Sequence, residues 1–345
     1  MYIGNYKIDE HSPVFIIAEL SANHNHDKEI ALKTIYAAKK AGADAIKLQT
    51  YTPDTLTIDC DNEYFQINQG TLWDGKTLYD LYKEAFTPWD WHEDLFLEAK
   101  KLGLECFSSP FDNSSVDLLE SLGAPAYKIA SFEIQDIPLI QYAASKGKPM
   151  ILSTGIATLN DIELALEACK KMDNQDVVLL KCTSSYPAPI SLANLRTMVD
   201  FRTRFNIPVG LSDHTIGNIV PTTSTALGAR VIEKHFILDK SIGGPDADFS
   251  LDPTEFRSMV DSVRSVEESL GDITYEISEK VKKNQKFARS LFIVKNVQKG
   301  EKFTPENVRS IRPGYGLHPK YYEDVIGSTA KRNIQRGTPL VEGMY

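Results

Sequence analysis

No stretch of this sequence is both long and apolar. No hydrophobic run approaches the roughly 20 residues that cross a bilayer, and the first residues, MYIGNYKIDEHSP, lack the apolar core of a secretory signal. The expectation is a cytoplasmic chain with no membrane partner. Cysteine is sparse: Cys60, Cys106, Cys169 and Cys182 are scattered, with no C-x-x-C. They read as reduced thiols, partly in the core. Surplus positive charge is also missing. Thirty-eight Lys and Arg face 47 Asp and Glu, a net charge of −9, which excludes a general nucleic-acid binder because phosphate neutralisation needs a basic face. There is no P-loop, so nucleotide binding is not indicated. A small anionic substrate remains compatible, provided positive charge is concentrated locally.

What is present is ordinary globular composition, 345 residues with 42% hydrophobic and 25% charged. That length suits one large domain, or a barrel of roughly 250 residues plus a small second domain. Apolar, β-branched runs predict strands near 14–19, 44–49, 104–109, 126–131, 149–154, 177–183, 207–212 and 230–236. Segments of helical period follow them, among them KEIALKTIYAAKKAG and LNDIELALEACKKM. Strand–helix alternation repeated about eight times predicts a parallel TIM (β/α)8 barrel. Gly42, Gly103, Gly123 and Gly228 stand where helix C-caps belong. A doubly wound open sheet is the alternative, but it wants a Gly-rich loop after the first strand, where this chain has ELSANHNH.

Residues 51–75 form a long aromatic and polar insertion after the second strand. Such loops at a catalytic face usually shape substrate binding, the alternative being a lid without substrate contact. The strand–helix rhythm stops at Gly271. Residues 272–285 read as a charged linker, and 286–345 as a small β domain with an internal quasi-repeat. The repeated phrases are KNVQKGEKFTPENV from Lys295 and RNIQRGTPLVEGMY from Arg332, each expected as a short strand and a Gly turn.

Polar residues inside apolar strands carry the chemistry. Side chains alternate faces along a strand. Lys47 shares a face with Gln49, Glu233 with His235, and Ser212 with His214; Glu19, Lys128, Ser153, Lys181 and Thr183 sit at other strand ends. One buried charge could be a structural ion pair. Six or more at one end of a barrel are costly unless paired or liganded. His214 and His235 end adjacent strands, about 4.8 Å apart, and so can meet on one metal that polarises a carbonyl; Glu233, Asp246 and Asp248 lie nearby in sequence. Lys47, Lys128, Ser131, Ser153 and Ser212 supply donors suited to a phosphate or carboxylate. His24 and His26 could touch substrate; His11, His92 and His318 are given no role.

Together these residues resemble the sialic acid synthase family, enzymes that condense phosphoenolpyruvate with an amino sugar. The phrases are AELSANHN at 18–25, DAIKLQT at 44–50, YKIAS at 127–131, LSTGIA at 152–157, TSSYP at 183–187, GLSDHT at 210–215 and EKHF at 233–236. The segment with IRPGYGLHP is similar to that family's antifreeze-like (SAF, β-clip) domain, so the resemblance covers essentially the whole chain. QTYTPDTLT, GTLWDGKTLYDLY and TPWDW resemble the pseudaminate branch rather than the neuraminate branch. The resemblance implies domains at 1–271 (barrel) and 286–345 (SAF). It implies a divalent metal, Mn²⁺ or Mg²⁺ with Co²⁺ as a further choice, on His214 and His235. It implies that Lys47, Lys128, Ser131, Ser153 and Ser212 grip phosphoenolpyruvate, and that Glu19, Gln49, Tyr186, Glu233 and Asp246 serve the sugar or move protons. Ser109 and Ser184 join the substrate-binding set. Ser184 replaces the Asn of neuraminate-making relatives, which puts the contact to the acceptor's acetamido group in doubt. Arg312 matches an arginine sent into the partner's site in a domain-swapped homodimer, although the residue by itself reads as a solvated surface arginine.

The implied acceptor is a 2,4-diacetamido-2,4,6-trideoxyhexose. The alternatives are the same chemistry on a mannose-configured acceptor, giving legionaminate or N-acetylneuraminate; a Schiff-base aldolase using Lys128 or Lys181; and a non-catalytic carbohydrate- or ice-binding protein.

Overall fold

A computed structural model describes residues 1–68, 70 and 73–345; residues 69, 71 and 72 of the insertion lie outside the described set. Eight parallel strands close on themselves: β3 (Phe15–Glu19), β4 (Ala45–Thr50), β5 (Glu105–Pro110), β6 (Tyr127–Ile129), β7 (Met150–Ser153), β8 (Val177–Cys182), β9 (Val209–Asp213) and β10 (Val231–His235), with β10 pairing back onto β3. The doubly wound alternative is thereby excluded. A short hairpin, β1 (Tyr2–Ile3) and β2 (Tyr6–Lys7), precedes the barrel.

Phase along each strand decides what faces inward. Phe15, Ile17, Ala45, Phe107, Ala126, Ile151, Val178, Leu180 and Val231 form the interior cluster, joined from the hairpin by Ile3 and Ile8. Burying each large apolar side chain contributes about 1.5–3 kcal/mol. The other phase of each strand packs on the helices, α1 (Lys28–Lys40), α4 (His92–Lys101) and α10 (Pro253–Leu270) on one side of the ring, α5 (Asn113–Ser121) to α8 (Arg196–Phe205) on the other. The α1 helix starts where Asp27 accepts from the amides of Glu29 and Ile30, and α7 (Leu159–Lys171) and α10 start in capping boxes at Thr158 and Asp252.

The β4–β5 connection holds α2 (Pro53–Leu56) and α3 (Leu78–Ala85) before the barrel helix α4. The inserted stretch therefore extends beyond residue 75, to the end of α3. The expected strand at 126–131 stops at Ile129, and a 3₁₀ turn at Ser131–Glu133 follows.

The chain divides into two compact units, Met1–Gly271 and Asp272–Tyr345. In the second, α11 (Glu279–Lys282) precedes β11 (Ser290–Ile293), which pairs antiparallel with β12 (Val308–Ile311). The two repeated phrases make single bridges rather than strands. They pair with each other: Val297 and Ile334 exchange both backbone hydrogen bonds at 2.9 and 2.8 Å. Asn333 accepts from the Lys299 amide and Asn296 from the Arg336 amide, at 2.7 and 2.8 Å. The quasi-repeat is thus a local two-fold arrangement around one small apolar core that includes Leu291, Phe303, Val308 and Leu340.

Candidate active site

At the carboxyl ends of the strands the inward positions change from apolar to polar. Glu19, Lys47, Gln49, Ser109, Lys128, Ser153, Cys182, Ser212, Glu233 and His235 all continue the interior phase. His214 lies one residue beyond β9, and because Lys234 is level with Asp213, His214 stands level with His235. Their ring centroids are 5.2 Å apart.

Two lysines and two glutamates form the floor. Lys47 contacts Glu19 and lies 3.8 Å from Glu233 Oε1. Lys128 Nζ and Ser212 Oγ donate to the same Glu233 oxygen at 3.2 and 3.1 Å. Lys47 also donates to Ser109 Oγ at 3.3 Å. Gln49 donates to Glu19 and Ser21 at 3.2 and 2.9 Å, and Ser21 donates to Asp246. Burial pulls Lys47 down, but Glu19 and Glu233 reverse this and raise its pKa; for Lys128 burial wins, and its pKa falls. Burial raises Glu19 to about 7 despite Lys47, with Glu233 adding to the rise. Burial also opposes the ionised form of Glu233, yet Lys128 and Lys47 hold it below its ordinary value. The floor thus keeps one carboxylate firmly ionised and one poised near neutrality.

Burial and the neighbouring His214, Lys47 and Lys128 hold His235 well below its usual pKa, so its ring is neutral with a lone pair available. Its Nδ1 is buried without a hydrogen-bond partner, 3.6 Å from Asp246 Oδ2. His214 Nδ1 faces the Thr183 carbonyl at 3.1 Å, which assigns a proton to Nδ1; burial opposes the charged ring, yet Cys182 and the Thr183 carbonyl hold its pKa above the usual value. Two imidazoles and a nearby carboxylate are a suitable donor set for a divalent metal. Among the described residues no cluster of three His, Cys, Asp or Glu is close enough to hold one unaided, so substrate or water would complete the coordination.

The structure brings the sequence-derived residues of the barrel together, except that Lys181 and Thr183 take the other phase. On β8 it is Cys182 that faces inward, its Sγ 3.8 Å from His214 Nδ1. Lys181 is on the outward phase and donates to its neighbours, the Cys182 carbonyl and Thr183 Oγ1. That removes Lys181 as a Schiff-base nucleophile. Ser131 Oγ accepts from the Gly155 amide at 3.1 Å. A Cβ at Gly155 would stand 2.0 Å from Ser184 Oγ and 2.7 Å from Ser131 Oγ, so both hydroxyls would have to move to admit one. Tyr186 packs at a tilt against His214 and Phe249, centroids 4.5 and 5.2 Å away. His24 is buried against Thr87, and His92 against Thr50, both in structural roles. Arg312 is exposed just after β12 in the second unit. Asp248 sits in the short turn after Asp246.

Sequence reasoning missed Glu133. Its Oε2 is buried without a hydrogen-bond partner, and burial raises its pKa to about 7. It lines a cavity of about 420 Å³ together with Gln49, Ser131, Tyr186, His235 and Asp246. An acid following a strand in SFEIQD gives no signal of burial.

Residues 34–275 match the NeuB family, and residues 288–345 match the SAF domain. The chain belongs to the NeuB family. It is 52% identical to a pseudaminic acid synthase of Campylobacter jejuni over the whole of both chains. It is 49% identical to a pseudaminic acid synthase of Helicobacter pylori, over 95% of this chain and 96% of the relative. Among solved structures, the N-acetylneuraminic acid synthetase of Leptospira borgpetersenii superposes with a TM-score of 0.72 at 33% identity, over 82% of this chain and 94% of the other. A non-catalytic carbohydrate binder is not favoured by this company. No helix among the described residues is long and apolar enough to cross a membrane.

Proposed function

We propose that this chain is a pseudaminic acid synthase, condensing phosphoenolpyruvate with 2,4-diacetamido-2,4,6-trideoxy-β-L-altropyranose and water to give pseudaminic acid and phosphate. Such a product would serve bacterial surface or flagellar glycans. The observation that carries the reading is the full-length identity of about half to pseudaminic acid synthases, on a chain whose barrel mouth sets buried lysines opposite a histidine pair.

Lys47 and Lys128, with Ser131, Ser153 and Ser212, would hold phosphoenolpyruvate through its phosphate and carboxylate. C3 of phosphoenolpyruvate attacks C1 of the open-chain sugar, and the aldehyde oxygen takes up a proton. Water adds to the oxocarbenium carbon C2 and loses its proton to a carboxylate. Phosphate then leaves with the electron pair of the C2–O bond and takes up the proton that the C2 hydroxyl gives up, which makes the ketone. Glu19, poised near neutrality, suits the proton transfers; Glu233 stays ionised between the two lysines and keeps them in place. His214 and His235, with Asp246 nearby, would hold a divalent cation whose contribution is to polarise the aldehyde carbonyl.

The test is phosphate release from phosphoenolpyruvate with a panel of hexoses, with and without chelator. The diacetamido-trideoxyaltrose should react fastest and chelator should abolish turnover. Fastest turnover of N-acetylmannosamine or of the mannose-configured diacetamido sugar overturns the assignment. Water labelled with oxygen-18 should place its label in the sugar acid; label in phosphate would contradict the C–O cleavage.

The partner we propose is a second copy of the chain, supplying Arg312 across a swapped interface. Ile156, Ile190, Leu192, Ile216 and Ile219, on the connections after β7, β8 and β9, are each more than 40% exposed. A rim of aliphatic residues around a catalytic mouth is a surface that association would cover.

A further inference from the structure

The 420 Å³ cavity has two unlike sides. Its polar side carries Gln49, Ser131, Glu133, His235 and Asp246. The opposite wall comes from the segment between β4 and α4: Leu56, Ile67, Trp73, Leu78, Leu81 and Tyr82 are its main residues. Among the described residues of this segment no charged side chain reaches the lining. The indole N–H of Trp73 is directed to the Pro245 carbonyl at 3.3 Å, and its ring leans on Tyr186, centroids 5.7 Å apart. The wall is therefore coupled to the ring that packs against His214. Hydroxyl groups come only from Tyr51 and Tyr82 among the described residues of this wall.

A hexose is normally a poor match for such a surface. Every hydroxyl laid against Leu56, Ile67, Leu78 or Leu81 gives up water and finds no partner. A methyl group meets no such loss and gains by leaving water. The polar side, in contrast, can hydrogen-bond the atoms close to the reacting carbonyl. A ligand that satisfies both sides is polar along one edge and carries methyl groups along the other.

We infer that the wall built by Leu56, Ile67, Trp73, Leu78 and Leu81 is the specificity device of this enzyme, receiving the C6 methyl and acetamido methyl groups of the acceptor, so that a deoxygenated, N-acylated hexose is chosen over its hydroxylated counterpart. This inference rests on the proposed condensation and adds the surface that selects the acceptor. The wall lies in the connection after the second barrel strand, apart from the lysines and histidines. Acceptor choice can therefore change without altering the bond-forming groups.

The experiment compares two acceptors that differ only by a hydroxyl at C6, in the wild-type chain and in the variants Leu56→Ser and Leu78→Ser. Both leucines are half-buried, so both variants should keep their melting temperature and their KM for phosphoenolpyruvate. An apolar pocket rejects an added hydroxyl by at most about 100-fold, so the wild type should prefer the deoxy acceptor by ~10–100-fold in kcat/KM. At least one variant should lose most of that preference, through a higher KM for the deoxy acceptor at little-changed kcat. A wild type with no preference, or a preference untouched in both variants, overturns the inference. Trp73 gives a readout independent of turnover: its fluorescence, identified by its loss in Trp73→Phe, should respond to the deoxy acceptor at lower concentration than to the hydroxylated one. If no hexose releases phosphate from phosphoenolpyruvate, the proposed reaction fails, and the fluorescence titration still decides whether the wall selects methyl groups. Turnover of both acceptors with equal efficiency overturns the wall alone.

Discussion

Glu133 is an acid whose environment opposes its charge. Its pKa is about 7 in the folded chain, raised by burial, against an ordinary value near 4.3 in an unfolded one. The folded state therefore holds this proton more tightly, and stability falls as pH rises from about 4.5 to about 7. Between pH 5 and pH 8 the loss is on the order of 2–3 kcal/mol. Urea melts at pH 5 and pH 8 should show the wild type losing roughly this amount relative to Glu133→Gln; equal losses in the two proteins would contradict the burial. Gly155 makes a second prediction at this scale. The Cβ of Gly155→Ala has no room beside Ser184 and Ser131, so both side chains must move. A displacement of about 1 Å at a reacting site costs up to ~100-fold, and kcat/KM should drop at least tenfold while the chain still folds. Cys182 is instructive in a different way. Hydrophobicity alone files it as an inert core thiol, and only the phase of Val178 and Leu180, both in the interior cluster, turns it toward His214.

The elements that carry the histidine pair are held from behind. Lys234 and Asp213, on the outward phases of β10 and β9, form an ion pair at 2.5 Å with both side chains almost fully buried. Lys234 also donates to the Thr215 carbonyl, and Asp213 accepts from the Thr215 amide and hydroxyl at 3.0 Å each. These contacts fix residues 213–215 and hence the exit of His214 from its strand. Lys234→Met leaves the Asp213 carboxylate buried without its partner, a change that costs about 3–5 kcal/mol. It should also weaken Mn²⁺ binding to the chain, read by titration calorimetry without substrate. Unchanged stability together with unchanged Mn²⁺ affinity would show that this pair does not position His214. In the sequence, GLSDHT and EKHF display these residues plainly, but nothing local says that Lys234 and Asp213 face each other while Glu233 and His235 face the site. Period-two alternation assigns the faces; only strand register makes the pairs.

At the scale of the whole molecule, a net charge of −9 coexists with two buried lysines at the proposed anion site. Lys47 and Lys128, both almost fully buried, concentrate positive charge at one point of the barrel axis. The proposed exchange of Arg312 between subunits has a direct test at this scale. Arg312→Ala and Lys128→Met should each be inactive alone. Mixed and allowed to exchange subunits, they should recover about a quarter of wild-type activity, because half of the dimers are hybrids and each hybrid has one intact site. No recovery in a mixture shown by mass to contain hybrids would place Arg312 in the site of its own chain.

The sequence by itself determined the strand–helix alternation, the number of strands, and the set of polar residues at the strand ends, because these depend on periodicities of two and 3.6 residues that any short window reveals. It also revealed the quasi-repeat around Val297 and Ile334, although not that the two copies would pair with each other. Tertiary structure alone decided that Glu233 is shared by Lys128, Ser212 and Lys47, that Oε2 of Glu133 is buried, and that α2 and α3 raise an apolar wall over one side of the cavity. Such facts depend on distances between residues far apart in the chain. Barrel closure and loop packing set those distances, and no local pattern encodes them.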